Sequence, residues 1–550
     1  MAKRNTTLHP DAPLLLPEHK RPRTRREFIA QSFAAGSGLV IASSLSGLFS
    51  NRANAALSQD LRNKIASADC SPNSSGGGPM IPFICFDLAG GANIAGSNVL
   101  VGNQGGQQDF LSVPGYSTLG LPSAMAPSAS MGQFVDTSLG LAFHSDSAFL
   151  RGIKTTCSPA AMGRVNGAVI PARSENDTGN NPHNPLYAIY RAGARGDLVN
   201  LIGSQNSDSG GNSMSPPMLV DISARPTQVT RPGDVTALVG SSSDVPDVLA
   251  KDDLVAAMES VSRISDKAID EAQGNYYLQA NNLTERTNAE CEIAKSADST
   301  DKFGGASSPD PTQDLLINNT GGGALPSIFS DGITSDAEFL KTASIMKLVI
   351  GGAASWPSKC YAAAGTITMG GFDYHTGDRG TGEARDFRAG QCMGACLEYA
   401  HRRQTPLMLY VCSDGSLSSN GMALPVGMDA GGRGKNTWDS DNQSTGAAFF
   451  LVYNPGAGGR PALLGASVDE QAKHQQLGWM RTDGSVETSG SPGANSVTQL
   501  VDMVALNYLA LQGKQNLLST ALGGSAIRPE SSILGGVSNW DKYTAFKPLT

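Results

Sequence analysis

Asp373 and His375 stand two residues apart in the run Gly371-Phe372-Asp373-Tyr374-His375, directly behind the short apolar stretch 366–369. A carboxylate and an imidazole at that spacing on a loop can reach the same metal ion, and the pair suits Zn, Mn or Fe better than Ca. The position matters as much as the residue types, because open α/β sheets gather their sites beyond the carboxyl ends of the strands. A loop aspartate that only hydrogen-bonds its own turn leaves the same trace in a sequence.

The arrangement recurs. Residues 407–412 form a second apolar run, followed by Ser413-Asp414-Gly415-Ser416, so Asp414 is another acid just past a strand. Residues 80–88 form a third, followed by Gly90-Gly91-Ala92-Asn93 and then Ser97 and Asn98. The amides of such a loop can cradle an anion, and two glycines also suit a tight turn with no ligand at all. His183, in Asn181-Pro182-His183-Asn184-Pro185, precedes a helix that Asn184 can cap and Pro185 can open. His144, His401 and His474 have no neighbour at metal-ligand spacing and read as structural. A GxSxG elbow with acid and histidine in readable context, a P-loop and a dinucleotide fingerprint in a strand-to-helix setting are all missing.

The elements that must position these residues follow from the apolar pattern. Runs at 80–88, 198–203, 345–350, 366–369, 407–412 and 449–454 have strand length, and helical spacing appears at 185–194, 335–346, 383–403 and 496–512. Their alternation predicts an α/β fold with a mainly parallel central sheet. In the third helix Met393, Cys396, Leu397 and Ala400 make one apolar stripe. A charged segment at about 250–300, with Leu254, Met258, Val261 and Ile264 at helical spacing, predicts a helical insertion in a single domain of residues 56–550. Gly-, Ser- and Asn-rich stretches near 71–79, 304–325, 427–445 and 484–495 read as loops, and no repeat of solenoid period is present.

Residues 1–55 predict an export leader. Thr24-Arg25-Arg26-Glu27-Phe28-Ile29 matches the twin-arginine consensus, a weakly apolar stretch spans 33–49, and Ala53-Asn54-Ala55 predicts cleavage after Ala55. An uncleaved N-terminal anchor is the alternative. No later segment offers the ~18 consecutive apolar residues of a membrane span, so the mature chain is expected to lack a transmembrane segment and to reside in the periplasm or be secreted. Eight of the 41 Lys and Arg and three of the 49 Asp and Glu lie in the leader, which leaves 33 against 46, a net of −13. That balance disfavours nucleic acid as a partner. The eight cysteines all follow the leader, where an oxidising compartment permits disulfides. None is in CxxC spacing, and Cys392 and Cys396, one helical turn apart, read as packing residues before a metal pair.

Taken together, the twin-arginine leader, the Gly-Gly loop, Gly371–His375 and Ser413–Ser416 resemble the exported family called domain of unknown function 1501, itself similar to alkaline phosphatases and sulfatases. The resemblance runs over residues 79–511 and is closest at Gly371–His375, against a family pattern of Gly-Phe-Asp-Thr-His. It implies an alkaline phosphatase-like scaffold with helices on both faces of the sheet. It also implies a divergent site. Asn93 stands where the family carries the acid of Gly-Gly-x-Asp, and Asn442 and Gln443 stand where an Asp-His-Gly motif supplies ligands. Asp414 occupies a shortened Ser-Glu-Phe-Gly motif, and His183 keeps the imidazole of Ser-His-Phe. Amides are neutral, weak ligands and cannot offset two divalent cations. The two-metal site is therefore expected to be degraded, holding either no metal or one divalent transition metal (Zn, Mn or Fe) on Asp373, His375 and Asp414, with Asp87 and His183 as further candidates and Ser97 as the nucleophile of any residual chemistry. The expected function is a non-catalytic or weakly catalytic binding or envelope-assembly protein that meets the twin-arginine machinery and an envelope or secretion partner. The alternative is a metal-dependent hydrolase of phosphate or sulfate esters.

Overall fold

The computed structural model describes residues 59, 79–128, 133–174, 181–239, 259, 260, 263, 309–319, 325–375, 377–422, 431–522 and 529–549. The expected leader with Arg25, Arg26 and Ala55, the expected insertion apart from Glu259, Ser260 and Arg263, and Cys70 and Cys291 lie outside the described residues. The chain divides into two compact units, residues 1–74 with 237–307 and residues 75–236 with 308–550. In the first, Arg263 and Glu259 form an i,i+4 ion pair at 3.5 Å. All candidate site residues belong to the second.

That second unit is α/β. In chain order its main elements are β1 (Phe83–Leu88), α1 (Ala148–Thr156), β2 (Val165–Pro171), α2 (Leu186–Arg191), β3 (Val199–Gly203), β4 (Thr227–Gln228), α3 (Ala337–Ile350), β5 (Ala362–Met369), α4 (Arg379–Arg403), β6 (Leu407–Ser413), β7 (Ala447–Tyr453) and α5 (Val497–Ala510). The strands make one sheet in the order β2-β7-β6-β1-β5-β3-β4. Every pairing is parallel except those of β7, which runs against both β6 and β2. Strands β1, β5 and β6 are buried along their whole length. A parallel sheet covered on both faces calls for such continuous apolar runs, and each large apolar side chain removed from water contributes roughly 1.5–3 kcal/mol.

Helices cover both faces. Phe83, Cys85, Tyr410 and Phe450 pack with Leu186 and Ile189 of α2 and with Leu500, Val504 and Tyr508 of α5. On the other side Ile345 and Val349 of α3 sit so close to Gly365 of β5 that a Cβ there would lie 2.9 and 3.0 Å from their methyl carbons. Phe149 of α1 reaches Phe449 of β7, with ring centroids 6.1 Å apart. Helix α4 begins at Asp378, whose carboxylate accepts the Thr381 amide, and ends at Gln404 in the left-handed region, with His401, Arg402 and Arg403 in the last turn. Met393, Cys396, Leu397 and Ala400 are fully buried, as the stripe predicts.

Besides α1 and the two-residue β4, which the apolar pattern did not mark, two elements differ from the sequence expectation. Residues 345–350 are not a strand but the last turns of α3, nearly every side chain of which is buried; a short apolar run does not distinguish a buried helix from a buried strand. Strand β2 escapes the pattern because its sequence, Val-Asn-Gly-Ala-Val-Ile-Pro, places Asn166 and Gly167 inside the run. Their roles are local. Asn166 donates to the Pro461 carbonyl at 2.9 Å, and a Cβ at Gly167 would meet the Phe450 carbonyl at 2.7 Å. The six described cysteines are buried free thiols, Cys392 and Cys396 among them. No helix among the described residues is long and apolar enough to cross a membrane.

Helices α1 and α4 cross at glycines. A Cβ on Gly390 would lie 2.2 Å from the Phe149 carbonyl oxygen, and one on Gly152 would lie 2.1 Å from that of Phe387. Gly390→Ala is therefore expected to cost roughly 1–3 kcal/mol despite its better helix propensity. Gly233→Ala, where no atom lies within 4 Å, should be neutral or stabilising by up to about 1 kcal/mol. Urea denaturation of the two variants checks the contrast, and equal midpoints would refute the close crossing.

Candidate metal centre and its pocket

Three loops leave the carboxyl ends of adjacent strands β5, β1 and β6, and their backbones brace one another. The Ala89 amide donates to the Met369 carbonyl at 2.9 Å, and the Phe372 amide to the Ala89 carbonyl at 3.2 Å. Gly90 has φ 118° and faces Asp373 so closely that a Cβ would lie 2.6 Å from its amide nitrogen, so only glycine fits. The amide of Gly90 donates to Asp414 Oδ1 at 2.7 Å, and the amides of Gly91 and Ala92 donate to Ser413 Oγ at 3.2 and 2.8 Å. The amides of the first loop are thus taken by the protein's own side chains, one by Asp414 and two by Ser413.

Asp414 is accordingly an internal brace. Its Oδ2 accepts from Asn212 Nδ2 at 3.0 Å and its carbonyl from Asn181 Nδ2 at 2.7 Å. Burial raises its pKa, against the lowering effect of the Gly90 amide. Asp87, at the end of β1, is fully buried and takes both the hydroxyl and the amide of Ser213 at 2.8 Å. Burial, with Asp414 nearby, lifts it to about 6 in spite of the Ser213 bonds.

The residues that converge are Asp373, His375 and Asp441, whose ligand-type atoms all lie within 4.8 Å of one another. His375 Nδ1 contacts Asp373 Oδ1 and lies 3.3 Å from Asp441 Oδ1; the side chains are 30%, 66% and 32% exposed for His375, Asp373 and Asp441. This is the sequence-predicted pair with Asp441 in the third place and Asp414 one layer behind. Asp441 is positioned by a two-stranded antiparallel ribbon in which it pairs with Leu417, and by the Asn442 amide, which donates to the Ser416 carbonyl at 2.8 Å. It directly precedes Asn442, so the signal that could have found it was an acid six residues ahead of strand β7. Asn442 and Gln443 line the adjoining cavity.

Tyr374, between the two ligand-type residues, holds the loop from below. Its buried hydroxyl accepts the Asn93 amide at 3.0 Å and donates to Asp386 Oδ1 of α4 at 2.8 Å. Its ring lies where a Cβ on Gly382 would come within 2.8 Å. Asp386 Oδ2 takes Asn98 Nδ2 at 2.6 Å. Burial is the main reason Asp386 rises to about 7, and Glu383 adds to it. Ser97 is fully buried, bonded by Asn93 Nδ2 and by Arg379 Nη2 at 2.9 Å. Arg379 continues to Glu383 at 3.0 Å, and Glu383 to Lys435 at 2.7 Å. Burial would raise Glu383, but Lys435 and Arg379 outweigh it and hold the carboxyl below its usual value.

His183 is elsewhere. It is buried behind Ser413 and Gly415 at a cavity of about 10 Å³, room for about one water, with neither ring nitrogen hydrogen-bonded. Burial pushes it down to about 4, so the imidazole is neutral. Asn184 Oδ1 accepts the amide of Leu186, the first residue of α2, but the N-cap position is taken by Pro185 and not by Asn184 as the sequence suggests. His144, His401 and His474 bond the Met125 carbonyl, the Tyr453 hydroxyl and the Thr544 carbonyl.

The open cavity has a volume of about 390 Å³ and is lined by Asp441, Asn442, Gln443, Ser444, Ser416, Arg173 and Ser174. Arg173 and Ser174 follow β2, the strand missing from the sequence pattern, and so escaped notice with it. Comparison with family models, curated proteins and solved structures finds no match.

Asp87 and Asp386 give the folded chain a pH signature. A carboxyl raised on folding adds nothing while both states are protonated, and stability falls as pH rises from the unfolded value through the folded one. For Asp386 alone the loss between pH 5 and 8 is on the order of 2 kcal/mol; the carboxyls held low, such as Glu383, titrate below that window. The melting temperature should fall from pH 5 to 8, and Asp386→Asn should flatten the slope. A wild-type profile that is level or rising would refute the assignment.

Proposed function

We propose that the protein binds one divalent transition metal, Zn, Mn or Fe, through Asp373, His375 and Asp441, and that the metal serves to hold a ligand in the adjoining cavity. The convergence of those three side chains at the carboxyl edge of the sheet carries the proposal. Two carboxylate oxygens and an imidazole fit the intermediate metals of the series, and three protein ligands leave coordination positions open. When bound, the metal supplies Lewis acidity at those positions. The chain's own residues then do the selecting: Arg173 and the hydroxyls and amides of the cavity bind and orient, while Tyr374 and the Gly90 contact keep Asp373 and His375 in register.

Binding is favoured over turnover because Ser97, the hydroxyl expected to act as nucleophile, is buried and already committed to Asn93 and Arg379. The proposed setting is a chain exported by the twin-arginine route to the periplasm or beyond, on an alkaline phosphatase-like scaffold, acting with an envelope or secretion partner. The sheet order and the place of the site at its carboxyl edge support that scaffold. Ester hydrolysis is the second reading, favoured by the open cavity beside Asp441.

Metal content of the exported chain, purified without chelators, tests the proposal by plasma mass spectrometry. About one equivalent is expected, with losses of roughly tenfold or more in His375→Ala and Asp441→Asn and no loss in His183→Gln. A folded, metal-free chain that takes up none of the three ions would overturn it. Hydrolysis of phosphate or sulfate esters that vanishes in Asp441→Asn would instead establish the second reading.

A further inference from the structure

Beside the metal centre, two polar groups of the cavity wall have no partner. Arg173 donates from Nη1 to Asn495 Oδ1 at 3.0 Å, but its Nε is buried without a hydrogen bond. No ion pair with Arg173 occurs among the described residues. The next residue, Ser174, is 6% exposed, and its buried hydroxyl is also unbonded. Buried donors left unpaired cost stability, and the residues that carry them, Arg173 and Ser174, are among those lining the 390 Å³ cavity, as is Asp441 of the metal centre.

From this geometry we infer that the cavity binds a polyhydroxylated monocarboxylate the size of a single sugar ring, its carboxylate set between Arg173 and the metal. The inference rests on the proposed metal site. Charge selects the anion. Asp373 and Asp441 match the two positive charges of a divalent ion, which leaves Arg173 as the one cationic side chain among the described lining residues, a single charge that a carboxylate matches and a phosphate monoester, carrying nearly two charges, overdoes. The guanidinium edge around Nε is a planar fork that matches a carboxylate. The rest of the ligand is selected by the remaining wall, Ser416, Asn442, Gln443 and Ser444, which offers hydroxyls and amides and no apolar or aromatic side chain. Such a wall rewards hydroxyl groups, and the volume lies at the small end of the ~300–1,000 Å³ range of ligand pockets.

Calorimetric titration of the manganese- or zinc-loaded full chain with D-glucuronate, D-glucose, acetate and inorganic phosphate tests it, with metal content measured on the same sample. Glucuronate should bind roughly tenfold or more tighter than phosphate or acetate, with glucose undetectable. Arg173→Gln should weaken glucuronate by about tenfold or more while metal content stays unchanged, and Ser174→Ala should weaken it by a smaller factor. Metal-loaded protein that prefers phosphate or ignores glucuronate, or an Arg173→Gln variant that binds glucuronate as the wild type does, overturns this inference and leaves the metal proposal standing. A chain that takes up no metal, or binds glucuronate equally well after chelation, overturns the metal-bridged arrangement and the proposed function together.

Discussion

Asp414 accepts the Gly90 amide on one carboxyl oxygen and the Asn212 side chain on the other, and the carboxyl edge of the sheet is organised around that buried acid. Removing a carboxylate from water is costly unless hydrogen bonds to the charged form compensate. The loop after β1 therefore turns its first amide inward, and Ser413 takes the next two. This fixes Gly90 against the Asp373 amide, a contact only glycine allows. The placement of the candidate metal centre thus depends on an acid that belongs to the layer behind it.

Polar connections extend this bracing into the helices. Tyr374 spans from the exposed loop to Asp386 on α4 and to the Asn93 amide. Asn98 joins Asp386 to Ser147, the cap of α1. Asn93 and Ser97, expected from the sequence as a degraded ligand position and a nucleophile of any residual chemistry, work here as links in this chain of bonds. Asn93 suits that setting, because a neutral amide can donate to Ser97 where a carboxylate cannot. The buried acids Asp87, Asp386 and Asp414 are in this way separated from the exposed Asp373 and the partly exposed Asp441, which lie on the solvent side of the loops.

Where a site residue was legible in the sequence, the clue was local. Asp373 and His375 share one loop, and the run before them has the length and apolarity of a buried strand, so residue type and position agree. Asp441 was harder to see, because it is brought in by a two-residue ribbon whose partner, Leu417, is 24 positions earlier. Arg173 and Ser174 were hidden by the Asn166 and Gly167 interruption in β2. Asp414 shows the opposite failure. Its place after a strand was read correctly, but its use as a brace follows from amides contributed by Gly90 and Asn212, which no spacing reveals.

By itself the sequence determined the α/β class, most strands and helices of the sheet, the apolar stripe of α4, and the loop edge at which acids and a histidine accumulate. Those follow from periodicity and turn chemistry, which act over a few residues. Tertiary structure alone decided which acids are inner and which outer, that residues 345–350 finish a helix, and that Arg173 and Ser174 face the cavity beside Asp441. Each of those depends on burial and on hydrogen bonds between segments tens to hundreds of residues apart, where the free energy of a side chain is set by its neighbours in space.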